Sequence, residues 1–213
     1  MCGRYTVSKA SEVLREHLGV EVSEEVTVPV YNASPGQHLP AILDVAPQKI
    51  QSILWGIHPK WAPQESRLLI NARAETVHQR PTFRNAFRKR RCLVIADGFY
   101  EWQATERGKQ PFRITLKTGE LFAFAGIWEE MEGEPAYVIL TTPANRVTHP
   151  IHSRMPVILE RQEYAPWLND ALPLEDVRLL LDPYPEDEMT AYRVSKAVNY
   201  SKNEEPTLIE PLA

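Results

Sequence analysis

Cysteine is scarce. Cys2 and Cys92 are the only two in 213 residues, so no disulfide framework staples this chain. No CxxC and no Cys/His pair stands at zinc-ligand spacing, which removes the usual structural zinc sites. Long apolar runs are missing too. The longest, Leu121 to Trp128, falls far short of the roughly 20 residues a helix needs to cross a bilayer. The opening Met-Cys-Gly-Arg-Tyr-Thr-Val-Ser-Lys has no apolar h-region, so it does not read as a secretory signal, nor Cys2 as a lipoprotein cysteine. These absences point to a reducing, cytoplasmic setting in which thiols stay free, with no membrane partner. Internal repeats and low-complexity tracts are absent as well. Glycine is outnumbered two to one by proline, 9 against 18, which favours rigid loops and turns over long helices.

The length suits one domain, residues 1–213, large enough to bury a real core. Ser8 to Gly19 reads as a helix, with Ala10, Val13, Leu14 and Leu18 on one apolar face and Gly19 at its end. Strand-like segments follow the turn-forming cluster Asn32-Ala33-Ser34-Pro35-Gly36: Leu39–Val45, Ile50–Trp55, Leu68–Ala72, Cys92–Trp102, Phe112–Leu116, Leu121–Trp128, Tyr137–Thr141 and Pro156–Leu159. Pro81–Arg91, Glu160–Leu168 and Leu174–Leu181 read as further helices. Strands do not alternate regularly with helices, which argues against a doubly wound parallel sheet. The expected class is α+β: a barrel-like or sandwiched, mostly antiparallel sheet core with short flanking helices.

Net charge is −4, so the chain as a whole is no polyanion binder. Yet Arg80, Arg84, Arg88, Lys89, Arg90 and Arg91 fall in one stretch with no acid among them. That stretch is either a positive face or a solvated helix surface.

Cys2 follows the initiator Met1 directly. Removing one methionine leaves an α-amine and a thiol on adjacent carbons, with reference pKa values of about 7.7–8.0 and 8.5. Such a pair condenses with an aldehyde to an imine and then closes a thiazolidine ring. The competing reading is an inert cysteine. Three polar interruptions accompany it. Asn71 and Arg73 stand two apart on a strand and share a face; they are either an orienting amide with a phosphate fork, or a structural pair with Arg73 on Glu75. Glu101 sits between Tyr100 and Trp102, where partial burial lifts a carboxyl towards acid–base work, or where it is a strand-end ion-pair member. His152 and Arg154 lie in a loop bracketed by Pro150 and Pro156; they suit proton transfer and phosphate binding, or are solvated, as His149 is expected to be. Trp61, between prolines, suits base stacking or covers the core edge. Trp55 and Cys92 are assigned to the core.

Taken in order along the chain, Met1-Cys2-Gly3-Arg4-Tyr5, Tyr31-Asn32-Ala33-Ser34-Pro35-Gly36, Asn71-Ala72-Arg73-Ala74-Glu75, Asp97-Gly98-Phe99-Tyr100-Glu101-Trp102 and Ile151-His152-Ser153-Arg154-Met155-Pro156 resemble the SOS response-associated peptidase (SRAP) domain family, the abasic-site processing proteins. The tail Val194-Ser195 … Asn203 … Leu208-Ile209 resembles it too. The resemblance implies single-stranded DNA carrying an abasic site as partner and no metal or organic cofactor. It implies Cys2 as the crosslinking nucleophile, Asn71 as its positioner, Glu101 as proton shuttle and His152 as the aid to sugar ring opening and crosslink reversal. It also implies Arg4, Arg73 and Arg154 as phosphate ligands, Pro35 and Trp61 along the DNA path, and Thr141 as a polar neighbour of the site. Ser153 departs from the family, where an aspartate is frequent. A monomer, associated with the nucleoid when on DNA, is expected. Two other classes compete: an N-terminal-nucleophile amidohydrolase, which needs an oxyanion hole and has no use for three phosphate-binding arginines, and a non-catalytic single-strand-binding module that leaves Cys2 idle.

An acidic protein that binds DNA through local arginines has a steep salt response. The logarithm of its affinity for single-stranded DNA should fall linearly with the logarithm of salt, with a slope of about −0.7 per phosphate contacted. A flat response in fluorescence-anisotropy titrations would remove the arginine roles.

Overall fold

The computed structural model describes residues 2–59, 63, 67–106 and 108–212. Fourteen strands are assigned among them: β1 (Tyr5–Val7), β2 (Glu21–Val22), β3 (Val30–Ala33), β4 (His38–Leu43), β5 (Lys49–Trp55), β6 (Asn71–Arg73), β7 (Arg91–Ala96), β8 (Gly98–Thr105), β9 (Gly108–Leu116), β10 (Phe122–Met131), β11 (Glu134–Pro143), β12 (Arg154–Pro156), β13 (Ile158–Leu159) and β14 (Met189–Arg193). The α-helices are short: α1 (Ser11–Leu18), α2 (Arg84–Lys89), α3 (Tyr164–Leu168) and α4 (Leu174–Leu179).

Strands β7, β10, β11, β5 and β4 close on themselves. β11 pairs antiparallel with β10 on one side and parallel with β5 on the other, and β4 links β5 to β7. A second sheet runs β14-β9-β8-β1-β3, all antiparallel. The α+β, barrel-like expectation therefore holds, and closure leaves the ring without free edges to template aggregation.

Between the layers lies an aromatic core. Tyr5 packs 5.1 Å from Trp55 and 5.7 Å from Phe124, centroid to centroid. The Tyr5 and Tyr137 hydroxyls meet at 2.7 Å, fully buried, so each phenol keeps a partner in the dry interior. Trp55 and Cys92 are in this core, as assigned.

Several elements differ from expectation. The apolar run Cys92–Trp102 is two strands in different sheets, not one. The break is at Asp97, whose carboxylate takes hydrogen bonds from the Thr6 and Ser8 hydroxyls, the Ser8 amide and Arg113. A buried carboxylate with that many donors fixes where the chain leaves the barrel. The basic stretch yields only the six-residue α2, because Arg91 already belongs to β7. Helix α1 starts at Ser11 and ends at Leu18, capped by Gly19, whose φ of 70° only glycine adopts cheaply; of its expected apolar face, Val13 is exposed. Leu68–Ala72 is regular only from Asn71.

Gly126 on β10 shows how tightly the barrel wall is filled. A Cβ there would meet Cys92 Sγ at 2.6 Å and a Val94 methyl at 3.0 Å. We expect Gly126→Ala to lower unfolding free energy by about 1–3 kcal/mol. Adding Cys92→Ala should make the pair less destabilised than the sum of the single variants in urea melts. Simple additivity would mean the clash is relieved elsewhere.

Candidate active site at the amino-terminal segment

Residues 2–4 lead into β1, and β1 lies against β8 in the register Tyr5 with Phe99 and Thr6 with Gly98. The Tyr100 amide donates to the Arg4 carbonyl at 3.0 Å. The chain before Tyr5 thus runs back alongside Glu101. Strand alternation decides where Glu101 goes. Phe99 faces the main core, while Tyr100 and Trp102 pack on the C-terminal tail with Val194, Val198 and Leu208. Glu101 shares the Phe99 face and is 3% exposed. Burial raises its pKa above the ordinary carboxyl value; nearby positive charge, including that of His152, works against this without reversing it.

Cys2 is fully buried. Its thiol donates a weak hydrogen bond to the Arg4 carbonyl at 3.7 Å. Burial first, and the Glu101 charge second, push its pKa up, so the sulfur rests as a thiol and not a thiolate. From the neighbouring strand β6, Asn71 Nδ2 donates to the Cys2 carbonyl at 2.8 Å. Asn71 Oδ1 is buried and has no hydrogen-bond partner among the described residues. Cys2, Asn71, Glu101 and His152, four residues spread over 150 positions, are thereby brought to one place.

His152 is half-buried. Its Nδ1 accepts from the Arg154 amide at 3.0 Å and lies 3.2 Å from the Arg154 carbonyl oxygen. His149 is exposed, as expected.

The arginines sort into distinct roles. Arg4 donates from Nη1 to Asn32 Oδ1 at 2.8 Å and to the Val198 carbonyl at 3.0 Å, so its head is fixed by the C-terminal tail. Arg73 is exposed at the end of β6 and makes no ion pair within 4 Å among the described residues. The acid at Glu75 goes to Arg154 and not to Arg73. Arg154, expected as a phosphate ligand, has its guanidinium engaged by both Glu75 oxygens and by Thr141. Thr141, expected as a polar neighbour of the site, is fully buried and accepts from Arg154 through its carbonyl and hydroxyl oxygens. Within the basic stretch, Arg91 is an internal strut. It is buried, stacks on Trp167 and donates to the carbonyls of Phe87, Arg88, Trp167 and Asn169. Arg90 pairs with Glu129 at 2.6 Å. Arg80, Arg84, Arg88 and Lys89 remain exposed. Pro35 is half-buried in the turn after β3, and Trp61 lies outside the described residues. Asn32 and Glu75 are the site-supporting residues that sequence reasoning did not single out. Asn32 was visible only as part of a turn cluster, and Glu75 only as a neighbour of Arg73.

No group of three or more metal-ligating side chains occurs among the described residues, and no helix there is long and apolar enough to cross a membrane.

The sequence pattern of the SOS response associated peptidase (SRAP) family matches residues 1–201. The chain belongs to this family. It is 40% identical over 222 aligned positions to the abasic site processing protein YoqW of Bacillus subtilis, covering 99% of each chain. It is 32% identical over 232 positions to the abasic site processing protein HMCES of Rattus norvegicus, covering 86% of this chain and 65% of that one. A crystal structure of a protein from Bacteroides thetaiotaomicron superposes with a TM-score of 0.86 at 26% identity over the whole of both chains.

A buried carboxyl with a raised pKa strains the folded state once it ionises. Its favourable contribution is complete below the ordinary carboxyl pKa of about 4.3 and is lost as pH rises through the raised value. Glu101→Gln should therefore be more stable than wild type in urea melts at pH 7, and the gap should close as pH falls to about 4. A less stable Gln variant at pH 7 would mean that Glu101 is net stabilising as a carboxylate.

Proposed function

We propose that this chain processes abasic sites in single-stranded DNA by forming a covalent thiazolidine with them through Cys2, once Met1 has been removed. The observation that carries this reading is convergence on the amino-terminal segment. The Asn71 amide holds the Cys2 carbonyl, and the buried Glu101 carboxyl is close enough to raise the Cys2 thiol pKa.

The chemistry follows from which nucleophile is ready. A thiol with a raised pKa is a poor first attacker, so the α-amine adds first to the C1′ aldehyde of the ring-opened sugar. Glu101 as carboxylate takes a proton from the ammonium. As carboxylic acid it returns one to the carbinolamine hydroxyl, which leaves as water. A pKa raised above the ordinary carboxyl value brings the two forms closer in free energy than in a solvated glutamate. The Cys2 sulfur then adds to the imine carbon; its proton ends on the ring nitrogen. One C–N and one C–S bond form, both carbonyl C–O bonds break, and one water is released. The buried Asn71 Oδ1 is a ready acceptor for the new amine, which lies within the residue whose carbonyl the same amide already holds. His152 assists opening of the sugar hemiacetal and, in reverse, release. Arg4 and Arg73 take flanking phosphates, and Pro35 and Trp61 line the strand's path. The adduct covers the lesion. The chain acts as a single copy without metal or cofactor.

The test is intact-mass measurement, under denaturing conditions, after mixing with single-stranded DNA that carries one abasic site. The expected species is protein less one methionine residue, plus the DNA, less one water. Cys2→Ala should give none, and Glu101→Gln should form it at least about a hundredfold more slowly. An unmodified wild-type protein would overturn the reading, and so would steady turnover of small amides indifferent to DNA, which is the amidohydrolase outcome.

A further inference from the structure

Arg154 crosses over β11 at Thr141. β11 is flanked there by β6 on one edge and β12 on the other, with Thr141 opposite Arg73 and Pro156. Arg154 begins β12. Its Nη2 donates to Glu75 Oε2 at 2.9 Å, to Thr141 Oγ1 at 3.1 Å and to the Thr141 carbonyl, while Nη1 donates to Glu75 Oε1. The Thr141 carbonyl also takes the Ala74 amide at 2.9 Å. The Arg154 side chain is 14% exposed and that of Glu75 46%, so a half-exposed carboxylate grips a mostly buried guanidinium in the two-pronged geometry that fixes its plane. The Arg154 hydrogen bonds hold the Glu75 carboxyl below the usual carboxylate range.

The other end of Arg154 holds a histidine. Its amide N–H, the nearer of the two Arg154 backbone groups, can only donate, which favours the neutral tautomer in which Nδ1 accepts and Nε2 carries the proton over the one in which Nδ1–H donates to the Arg154 carbonyl. When His152 is protonated, Nδ1–H has the Arg154 carbonyl as acceptor. Nδ1 is thus served in both charge states, and Nε2 keeps a proton in both. That N–H can polarise a sugar oxygen by hydrogen bonding; transferring its proton from the imidazolium leaves the Nδ1–H form, for which the Arg154 carbonyl is the acceptor.

We propose that Glu75 is a positioning residue for His152: by anchoring Arg154 across β11 it fixes the peptide groups that set the imidazole tautomer. The segment 71–75 then registers the nucleophile against the acid, with Asn71 at one end holding Cys2 and Glu75 at the other holding the strand that follows His152. The catalytic part of this inference rests on the crosslinking reading above; the tautomer part does not.

The protein alone, labelled with nitrogen-15 in histidine, gives the first readout. Wild-type His152 should be dominated by the Nε2–H tautomer, Glu75→Ala should show a mixture, and Glu75→Asp should restore the bias. An unchanged tautomer ratio in Glu75→Ala overturns the proposal whatever the DNA chemistry is. The second readout is single-turnover crosslinking at saturating abasic DNA. Glu75→Ala should be about tenfold slower, with undiminished affinity for lesion-free single-stranded DNA and with the pH profile of His152→Ala. Combined with His152→Ala it should cost nothing more. Multiplying effects overturn the proposal. So does a Glu75→Ala protein that crosslinks at the wild-type rate yet binds lesion-free DNA more tightly and with a steeper salt slope, because Glu75 would then merely compete with phosphate for Arg154. Glu75→Gln, which keeps the shape but not the charge, guards against a folding defect. If wild-type protein never crosslinks, the functional reading fails, and the tautomer measurement still decides this one.

Discussion

A carboxyl group kept out of water next to the first residues of the chain is the constraint around which the rest is arranged. Glu101 is interior because β8 alternates its faces, and Phe99 and Glu101 share the one turned to the core. Desolvating a carboxylate is unfavourable, and nothing in strand geometry alone compensates it. The surroundings supply what is needed: a histidine close enough to counter its charge and a rigid strand to keep it from turning outward. That rigidity has a visible source two residues upstream of Phe99. The Asp97–Arg113 ion pair, at 3.2 Å and almost wholly buried, locks the corner where the chain passes from barrel to second sheet. Gly98 follows because a Cβ there would lie 2.7 Å from Arg113 Nε. The short motif around Glu101 therefore combines a corner, a brace and a buried carboxyl.

Positive charge is distributed by the same economy. The densest basic stretch is not a uniform surface: Arg91 ties α2 and α3 together through four backbone carbonyls, and Arg90 closes on Glu129. Arg4 and Arg154 each have their guanidinium fixed by protein acceptors. Arginine's planar fork suits this double use, because it can stay bound to the protein on one side and still present N–H groups on another.

What could be read from the sequence, and what could not, divides along physical lines. Cys2, Asn71, Glu101 and His152 stood out as reactive or polar residues in their segments, but each had a structural alternative, and roles for them came only with the family resemblance of the motifs taken together. The class of fold was legible from many short apolar runs. The split of Cys92–Trp102 was not, because β7 and β8 are both apolar and only the tertiary partners of Asp97 reveal the corner. Strand β1 was missed because three residues carry no periodicity. The pairing of Glu75 with Arg154 was hidden because the two are 79 positions apart, whereas Arg73 stood beside Glu75 in the chain and offered the nearer guess.

The way the C-terminal tail meets the start of the chain has one more implication. Asn32 donates to the carbonyls of Val198, Tyr200 and Asn203, and Arg4 joins it on Val198, 194 positions away. Contacts of such long sequence separation form late in folding. On a ribosome, the segment bearing Cys2 emerges first but is locked into its seat only when nearly the whole polypeptide has been made. During synthesis that segment is still loose and open to solvent, and its seat is complete only once the tail has arrived.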